Sequence, residues 1–354
     1  MNMPVTLSEQ LKSKPADETK MGFGTIFTDH MFVMNYDQGK GWHSPRIEPY
    51  APLSLDPSAM CLHYAQEVFE GLKAYRGVDG NIRLFRPEEN FKRLNQSSVR
   101  MSIPEIDEKI ALEGLKQLVQ IEKDWVPSAP DTSLYLRPFI IAVDPAIGVR
   151  PAEHYIFMII ASPSGPYYES GLDPVKIYVE KEYVRSVKGG TGVAKTGGNY
   201  ASSLNSQVEA HAEGFNQVLW LDGVERKYIE EVGAMNIFFV IGDEVVTPEL
   251  SGSILEGITR KSAIQILQEW GIKVSERKIS IDEVIDAGKK GLLKEAFGTG
   301  TAAVISPVGL LRYEDTDIVV NNNEIGPIVR KLYDELTGIQ WGKVSDKLGW
   351  TLLV

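Results

Sequence analysis

The sequence predicts a mixed α/β fold of the α+β kind, arranged in two domains. The chain has 354 residues, whereas a typical domain has about 150. Hydrophobic residues make up 43% and charged residues 24% of the chain, which is typical of a globular protein that buries its own core. Segments with strand and helix patterns follow one another along the chain, and 32 glycines favour a loop-rich body over a helical bundle.

The predicted domain boundary is the Pro- and Gly-rich segment 163–174. It contains three prolines and two glycines, which cannot continue a helix or a central strand. We therefore predict a smaller N-terminal α/β domain over residues 1–163, a linker over 164–174 and a larger C-terminal domain over 175–354.

In the first domain, the pattern of apolar residues predicts three strands and two helices. Alternating apolar and polar residues indicate strands, and apolar residues on one helical face indicate helices. The strands are expected over 81–86, 133–137 and 155–162, and the helices over 90–100 and 106–125.

The second domain shows strands, hairpin turns and helices that stop at glycine. A strand is expected over 175–182, and helices are expected over 200–213 and 258–270 because Gly214 and Gly271 follow them. Two hairpin turns are expected, at Asp222–Gly223 and at Gly242–Asp243.

Charge and cysteine content exclude several classes of function. The 37 basic and 48 acidic residues give 37 − 48 = −11, which argues against a nucleic-acid partner and against a polybasic membrane signal. Residues 1–20 lack an apolar signal sequence, so a cytoplasmic location is expected. The single cysteine, Cys61, excludes an intrachain disulfide and a cysteine-built metal site. No metal is expected, since the histidines are dispersed along the chain: His30, His43, His63, His154 and His211.

Residues 189–196 nearly match a P-loop, and a P-loop NTPase is the alternative from another enzyme class. The glycine that should precede the lysine is replaced by Ala194. Two glycines, Gly197 and Gly198, follow at once and disfavour a helix start by roughly 1 kcal/mol each. Asp222, which resembles a magnesium-binding residue, is better explained as part of a hairpin turn.

Without a P-loop, Lys195 remains as an unusual lysine in a Gly-rich stretch. Its segment and three others resemble the class IV pyridoxal-phosphate aminotransferases of fold type IV, and within them the branched-chain amino acid aminotransferases. The four segments are 194–200, 231–238, 245–247 and 255–260, and further similar stretches are 23–31, 68–75, 84–87, 134–138, 217–220 and 297–302. The resemblance implies a barrel-like, largely antiparallel sheet in the C-terminal domain, which would bind pyridoxal 5′-phosphate.

The resemblance also implies the residues that bind the cofactor: Lys195, Arg93, Tyr200, Glu231, Ile258, Thr259 and Thr301. Lys195 would carry the cofactor covalently and act as general acid and base. A carboxylate such as Glu231 favours a protonated pyridine nitrogen. A helix start and Arg93 would serve the phosphate. Since Arg93 lies in the first domain, the cofactor is expected between the domains.

For the substrates, the resemblance implies Phe23, Tyr64, Phe69, Tyr135, Ala234 and Ala302, and the chemistry of a carboxylate substrate adds Arg137 as a candidate. An apolar wall suits branched side chains, and Arg137 would receive a carboxylate of 2-oxoglutarate. The expected reaction converts leucine, isoleucine or valine and 2-oxoglutarate into branched 2-oxo acids and L-glutamate.

Within the same fold, D-amino acid transaminases and aminodeoxychorismate lyases remain alternatives, and a non-catalytic cofactor-binding relative is a third. The family implies a homodimer. A cysteine pair that mammalian relatives carry is replaced by Ala303 and Ser306, so no thiol switch is expected there.

Overall fold

The computed structural model describes residues 3–165 and 171–354, and its backbone divides into two compact units. Unit 1 holds the described residues of Met1–Tyr167 together with Ala194–Gly197 and Gly338–Val354. Unit 2 holds the described residues of Tyr168–Val193 together with Gly198–Thr337. The centre of the predicted linker, residues 166–170, lies outside the described residues. The four-residue segment around Lys195 thus groups with unit 1, although unit 2 contains the chain on both sides of it.

Unit 1 is built on one antiparallel sheet. Its strands are β1 (His30–Asp37), β2 (Gly41–Pro49), β3 (Glu67–Phe69), β4 (Leu72–Arg76), β5 (Ile82–Phe85), β6 (Ser133–Ala142), β7 (His154–Ser164) and a C-terminal strand, Thr351–Leu353. The order across the sheet is C-terminal strand, β5, β4, β6, β7, β1, β2, and the short strand β3 also pairs with β6. The strands predicted over 81–86, 133–137 and 155–162 are therefore confirmed as β5, β6 and β7.

The helices of unit 1 are α1 (Met60–Tyr64), α2 (Pro87–Arg100) and α3 (Glu108–Ile121), with 3-10 turns at Glu18–Lys20 and Lys123–Trp125. The helix predicted over 90–100 is confirmed as α2, and it begins earlier because Pro87 suits a first helical position. The helix predicted over 106–125 is shorter. It begins where the Asp107 side chain accepts hydrogen bonds from the backbone N–H groups of Lys109 and Ile110.

The alternation along β3, β4 and β6 gives the sheet of unit 1 two different faces. Val68, Leu72, Leu134 and Leu136 are buried in the hydrophobic core of the unit, which α2 and α3 also line. The intervening residues lie on the opposite face, where Lys73 pairs in register with Tyr135. This second face carries several predicted site residues, because side chains alternate strictly along a strand.

Unit 2 contains a closed, barrel-like ring of strands. The strands are β8 (Val175–Val179), β9 (Gln217–Leu221), β10 (Ile229–Val232), β11 (Met235–Ile241), β12 (Glu244–Thr247), β13 (Lys273–Glu276), β14 (Leu293–Gly300), β15 (Val304–Tyr313) and β16 (Thr316–Val319). The order β10, β9, β8, β15, β14, β11 closes on itself because β10 also pairs with β11. Within this ring, β8 is parallel to both neighbours and the other pairs are antiparallel. The predicted fold class is therefore confirmed, including the barrel-like sheet.

The helices that lie wholly or mainly in unit 2 are α4 (Gly197–Ala201), α5 (Leu204–Ala212), α6 (Ile258–Glu269), α7 (Ile281–Lys289) and α8 (Pro327–Gln340), with a 3-10 turn at Asn321–Asn323. The helix predicted over 258–270 is confirmed as α6. The helix predicted over 200–213 is instead split into α4 and α5. The hydroxyl of Ser203 donates to the carbonyl oxygen of Tyr200 at 2.7 Å and so competes with a continuous helix at this point. Gly197 and Gly198 were expected to disfavour a helix start, but the short helix α4 begins at Gly197.

Both predicted hairpins are confirmed. Gly242 and Asp243 form a two-residue turn, since Ile241 pairs with Glu244. β9 and β10 pair antiparallel around a longer loop that begins at Asp222. The strand predicted over 175–182 ends at Val179, because the Glu180 carboxylate accepts hydrogen bonds from the backbone N–H groups of residues 181–183 and turns the chain.

Within the described residues, no helix combines the length and apolar character needed to cross a membrane. Likewise, these residues contain no group of three or more His, Cys, Asp or Glu side chains arranged to hold a metal ion. Cys61 is half-buried in α1, and burial raises the pKa of its thiol.

Candidate active site

Lys195 is fixed by its backbone within unit 1. Its N–H donates to the hydroxyl of the buried Ser97 on α2 at 2.9 Å, and its carbonyl oxygen accepts from the N–H of Phe69 on β3 at 3.0 Å. Its side chain is half-buried, and Nζ lies 5.0 Å from the centre of the Phe69 ring. The amine therefore lies over an aromatic face rather than extending into solvent.

Arg93 forms a buried, two-pronged ion pair with Glu70. Its Nε lies 2.7 Å from one carboxylate oxygen and its Nη2 lies 2.9 Å from the other. Glu70 is 0% exposed and also accepts from the N–H of Gly71 at 3.0 Å and from Asn90 Nδ2 at 2.8 Å. Arg93 is 7% exposed, so it is not an ordinary solvated helix arginine.

The charge of Glu70 is maintained by its neighbours. Burial by itself raises the pKa of the Glu70 carboxyl, but the charge and hydrogen bonds of Arg93 outweigh burial, and the positive charge of Lys195 acts in the same direction. The result is a pKa below the usual range. Glu70 therefore stays ionised and links the electrostatics of Arg93 and Lys195.

Three of the predicted substrate residues line one cavity of about 300 Å³ in unit 1: Phe23, Tyr135 and Arg137. The rings of Phe23 and Tyr135 meet edge to face with centres 4.8 Å apart. Arg137 Nη2 donates to the Tyr135 hydroxyl at 2.9 Å, and its guanidinium lies 4.7 Å from the centre of the Phe69 ring. Because Phe69 also underlies the Lys195 amine, five predicted residues form one continuous set of contacts.

The other three predicted substrate residues are Tyr64 in unit 1 and Ala234 and Ala302 in unit 2. Tyr64 lies on α1, is 36% exposed, and its hydroxyl donates to the carbonyl oxygen of Ile147. In unit 2, Ala234 is exposed in the turn between β10 and β11, and Ala302 is half-buried in the turn between β14 and β15.

In unit 2, Glu231 belongs to a row of polar residues across three neighbouring strands. Glu231 on β10 pairs in register with Asn236 on β11, which pairs with Thr299 on β14. Their exposures are only 2%, 5% and 2%. Asn236 Nδ2 donates to Glu231 at 3.2 Å, whereas the Thr299 hydroxyl finds no hydrogen-bond partner among the described residues. Buried polar groups are normally hydrogen-bonded, so the Thr299 hydroxyl is a candidate partner for a bound ligand.

Glu231 is compensated by Arg185. Arg185 Nη1 lies 2.6 Å from a carboxylate oxygen of Glu231 and also donates to the carbonyl oxygen of Ser253 at 3.3 Å. Both side chains are almost fully buried. Arg185 therefore places a positive charge directly against the buried Glu231 carboxylate.

The start of α6 adjoins this row. Asn236 Nδ2 donates to the carbonyl oxygen of Leu255 at 2.9 Å, just before the N-cap residue Gly257. A side chain at Gly257 would collide with Asn236, so glycine is required for this close approach. Ile258 and Thr259 begin the twelve-residue helix and are buried. The backbone N–H groups at such a helix start attract phosphate.

The remaining predicted cofactor residues are Tyr200 and Thr301. Tyr200 is half-buried at the end of α4, and Thr301 is half-buried in the turn after β14. Taken separately, the two units thus provide the types of group that pyridoxal phosphate requires: an amine and an arginine in unit 1, and a compensated carboxylate and a helix start in unit 2. The residues present fit this cofactor.

Sequence reasoning missed three charged residues, the half-buried Glu67 and the buried Glu70 and Arg185. Glu70 lies inside a segment that already supports the family resemblance, so that segment was a signal. Arg185 lies in a polar loop with no local signal of burial. The expectation that a large group approaches the Gly-rich stretch is met in part by the protein itself, because a side chain at Gly192 would collide with the Ser253 backbone.

The P-loop alternative also required Asp222 to bind magnesium, and the structure does not support this role. The Asp222 carboxylate accepts from the N–H groups of Val224, Glu225, Lys227 and Tyr228, at 2.7 to 3.1 Å. It is therefore occupied in closing its own loop, as expected for a hairpin residue.

Comparison with known proteins also supports an aminotransferase rather than an NTPase. Residues 67–311 match the family "Amino-transferase class IV". The chain is 62% identical over 347 residues to "Branched-chain-amino-acid aminotransferase 2" of Bacillus subtilis (strain 168), covering 98% of this chain and 95% of the relative. It resembles the crystal structure of the branched-chain amino acid aminotransferase of Escherichia coli, with a TM-score of 0.76, 27% identity, and coverage of 90% and 98%. It also resembles the T.th. branched-chain amino acid aminotransferase with pyridoxamine 5′-phosphate, with a TM-score of 0.74, 26% identity, and coverage of 90% and 97%.

The chain therefore belongs to the class IV aminotransferase family, and its fold is fold type IV. Its similarity to branched-chain enzymes extends over nearly the whole sequence. The predicted family is confirmed, and an NTPase is not supported.

Proposed function

We propose that this protein catalyses pyridoxal 5′-phosphate-dependent transamination of leucine, isoleucine and valine with 2-oxoglutarate. The products are the branched-chain 2-oxo acids and L-glutamate. The 62% identity to a branched-chain enzyme over 98% of the chain supports the reaction class. The T.th. relative with pyridoxamine 5′-phosphate supports the choice of cofactor.

One structural observation supports the proposed reaction independently of family membership. The Lys195 amine lies over Phe69, whose ring also contacts Arg137 at the edge of the aromatic cavity. The amine that we propose as catalytic thus lies close to an apolar wall that contains the guanidinium group of Arg137. This combination suits both a branched apolar side chain and a carboxylate.

Bound pyridoxal phosphate would supply the electron sink that makes the amino acid Cα–H acidic enough to lose its proton. Lys195 Nζ is proposed to hold the cofactor between turnovers and to carry the proton that leaves Cα. The half-buried position of the amine limits its exchange with water, and its fixed backbone limits the positions that Nζ can reach.

The Glu231 carboxylate is proposed to favour the protonated form of the pyridine nitrogen, with Arg185 as its counter-ion. Tyr200 is proposed to donate to the phenolic oxygen of the cofactor. Arg93, the helix start at Ile258 and Thr259, and the Thr301 hydroxyl are the proposed partners of the phosphate, which carries close to two negative charges.

For the substrates, Phe23, Phe69 and Tyr135 are proposed to form the apolar wall, and Arg137 to receive a carboxylate of 2-oxoglutarate. Tyr64, Ala234 and Ala302 remain predicted substrate contacts. We further propose that residues 175–354 form the cofactor-binding domain, and that the protein acts as a cytoplasmic homodimer, as the family resemblance implies.

The absorption spectrum of the purified protein, before and after addition of L-leucine, tests the reaction. We expect a yellow chromophore that shifts on addition of L-leucine and returns when 2-oxoglutarate is added. A protein that gains no chromophore after incubation with pyridoxal phosphate would contradict the proposal.

Borohydride reduction followed by peptide mapping tests the residue assignment. The cofactor should be recovered on Lys195, and recovery on any other lysine would overturn the role of Lys195. Parallel assays with L-leucine, D-alanine and aminodeoxychorismate separate the proposed function from the related activities of this fold. Of these three compounds, only L-leucine should be turned over.

A further inference from the structure

The segment that carries Lys195 lies along the edge of strand β3 that does not pair with β6. One edge of β3 pairs with β6 through Glu67–Ile141 and Phe69–Phe139. On its other side, the N–H of Phe69 donates to the carbonyl oxygen of Lys195 at 3.0 Å, and the hydroxyl of Thr196 donates to the carbonyl oxygen of Glu67 at 2.8 Å. The edge of β3 is thus covered by residues 195–196, which satisfies its backbone groups.

The Glu67 side chain adds a second layer to this contact. Its Oε1 accepts from the backbone N–H of Gly197, and the Thr196 hydroxyl lies 3.2 Å from the same oxygen. A methyl group at Gly197 would come within 2.6 Å of this oxygen, so the segment and the carboxylate fit closely. Among the described residues, the hydrogen bonds to the Glu67 carboxylate come from Thr196 and Gly197, the two residues that follow Lys195.

Such an arrangement is costly, so a role in stability alone explains it poorly. Burial raises the pKa of the Glu67 carboxyl, whereas the hydrogen bonds from Gly197 and Thr196 and the charge of Arg137 act in the opposite direction. A half-buried carboxylate at the edge of a three-residue strand adds little to the core. Its distinguishing effect is to fix the backbone directly after Lys195.

We propose that Glu67 is a positioning residue that holds residues 196–197 against β3 and so sets the position of the Lys195 amine. This inference rests on the proposed function of Lys195. Glu67 contacts neither substrate nor cofactor in this account and acts only through the backbone of the lysine segment.

The first measurement uses hydrogen–deuterium exchange on the full-length protein stripped of cofactor, so that it does not depend on activity. In Glu67→Ala, the amide of Gly197 should exchange about 10-fold faster or more, since it loses its carboxylate acceptor and hydrogen bonds to charged groups are stronger than neutral ones. Glu67→Gln keeps an acceptor oxygen and should restore most of the protection. Glu105→Ala, which alters an exposed glutamate, is the matched control.

The second measurement is the rate at which added pyridoxal 5′-phosphate forms a borohydride-stable adduct on Lys195. We expect this rate to fall about 10-fold in Glu67→Ala and to recover in Glu67→Gln. If Glu67→Ala fails to fold, Thr196→Val removes only the hydroxyl donor and should produce a smaller change in the same direction.

Exchange and adduct formation that are both unchanged in Glu67→Ala would overturn the inference. Faster exchange at Gly197 with an unchanged adduct rate would also overturn it, because the contact would then have no effect on the amine. If the adduct of the unaltered protein maps to a lysine other than Lys195, the proposed function fails first and the inference fails with it. Mapping and exchange therefore distinguish the two failures.

Discussion

Each unit contains a buried carboxylate–arginine pair, and the two pairs are built differently. In unit 1, Glu70 accepts both prongs of Arg93, at 2.7 and 2.9 Å, and two further hydrogen bonds from Gly71 and Asn90. In unit 2, Glu231 has Arg185 at 2.6 Å and a longer hydrogen bond from Asn236 at 3.2 Å.

This difference indicates which partner has the chemical role. Glu70 accepts hydrogen bonds from several donors and holds the Arg93 guanidinium in a fixed orientation. The guanidinium is the proposed phosphate ligand. Arg185 compensates the charge of Glu231, whose carboxylate is the proposed functional group. Since replacing buried ion pairs by apolar residues is often neutral for stability, such pairs are better explained by positioning than by stabilisation.

The largest effect is expected from removing the amine of Lys195, which lies near the Glu70–Arg93 pair. Lys195→Ala should lower the rate of the L-leucine half-reaction at least ~10⁴-fold, because it removes both the nucleophile and the proton carrier. Stopped-flow absorbance measures this rate. Lys188→Ala, an exposed lysine of the same Gly-rich region, should leave it unchanged. Comparable losses in both variants would show that the region, not the amine, matters.

Glu231→Gln tests the second pair. Loss of the negative charge weakens the preference for a protonated pyridine nitrogen, so kcat should fall about 100-fold while bound cofactor is retained. The adjacent Glu230→Gln is a matched control, because Glu230 is also buried but hydrogen bonds to Ser253. Steady-state kinetics of both variants decide the point, and a normal kcat in Glu231→Gln would exclude this role.

Arg93→Lys tests the first pair. Lysine keeps the charge but loses the two-pronged geometry, so the Kd for pyridoxal phosphate should rise about 10- to 100-fold. The Kd for pyridoxal, which lacks the phosphate, should change little. Fluorescence titration measures both constants, with the exposed Lys92→Ala on the same helix as control. Equal weakening for the two ligands would contradict phosphate binding by Arg93.

The smallest expected effect concerns Lys73, whose pKa is lowered by burial more than it is raised by the charge of Asp131. Burial lowers the pKa of Lys73 from 10.5 to about 8, only partly opposed by the charge of Asp131. Between pH 8 and 10.5 the unfolded chain therefore binds more protons than the folded protein, and stability should rise with pH across this window.

Lys73→Met should remove this rise, a difference of about 2 kcal/mol in the free energy of unfolding between the two pH values. Urea unfolding at about pH 8 and about pH 10.5 measures it, with the exposed Lys92→Met as control. A rise that persists in Lys73→Met would assign the pH dependence to another group.

Local sequence patterns predicted most helices, strands and turns. They failed where a side-chain hydrogen bond to the backbone interrupted a helix. The turn at Gly242–Asp243 and the helix that stops before Gly271 were predicted correctly, because turn and cap geometry depends on neighbouring residues. The break between α4 and α5 was missed, since the hydroxyl of Ser203 bonds to a nearby carbonyl group, which apolar periodicity does not reveal.

By itself, the sequence determined the family and the fold class, and it predicted the residues that we propose carry the chemistry, because Lys195, Glu231 and the start of α6 lie in short motifs with recognisable spacing. The tertiary structure alone decided how these groups are held. Glu70 lies 23 residues from Arg93, and Glu67 lies 130 residues from Gly197. Such pairings depend on how distant strands and helices pack, and a buried charge is tolerated only where packing brings it a partner.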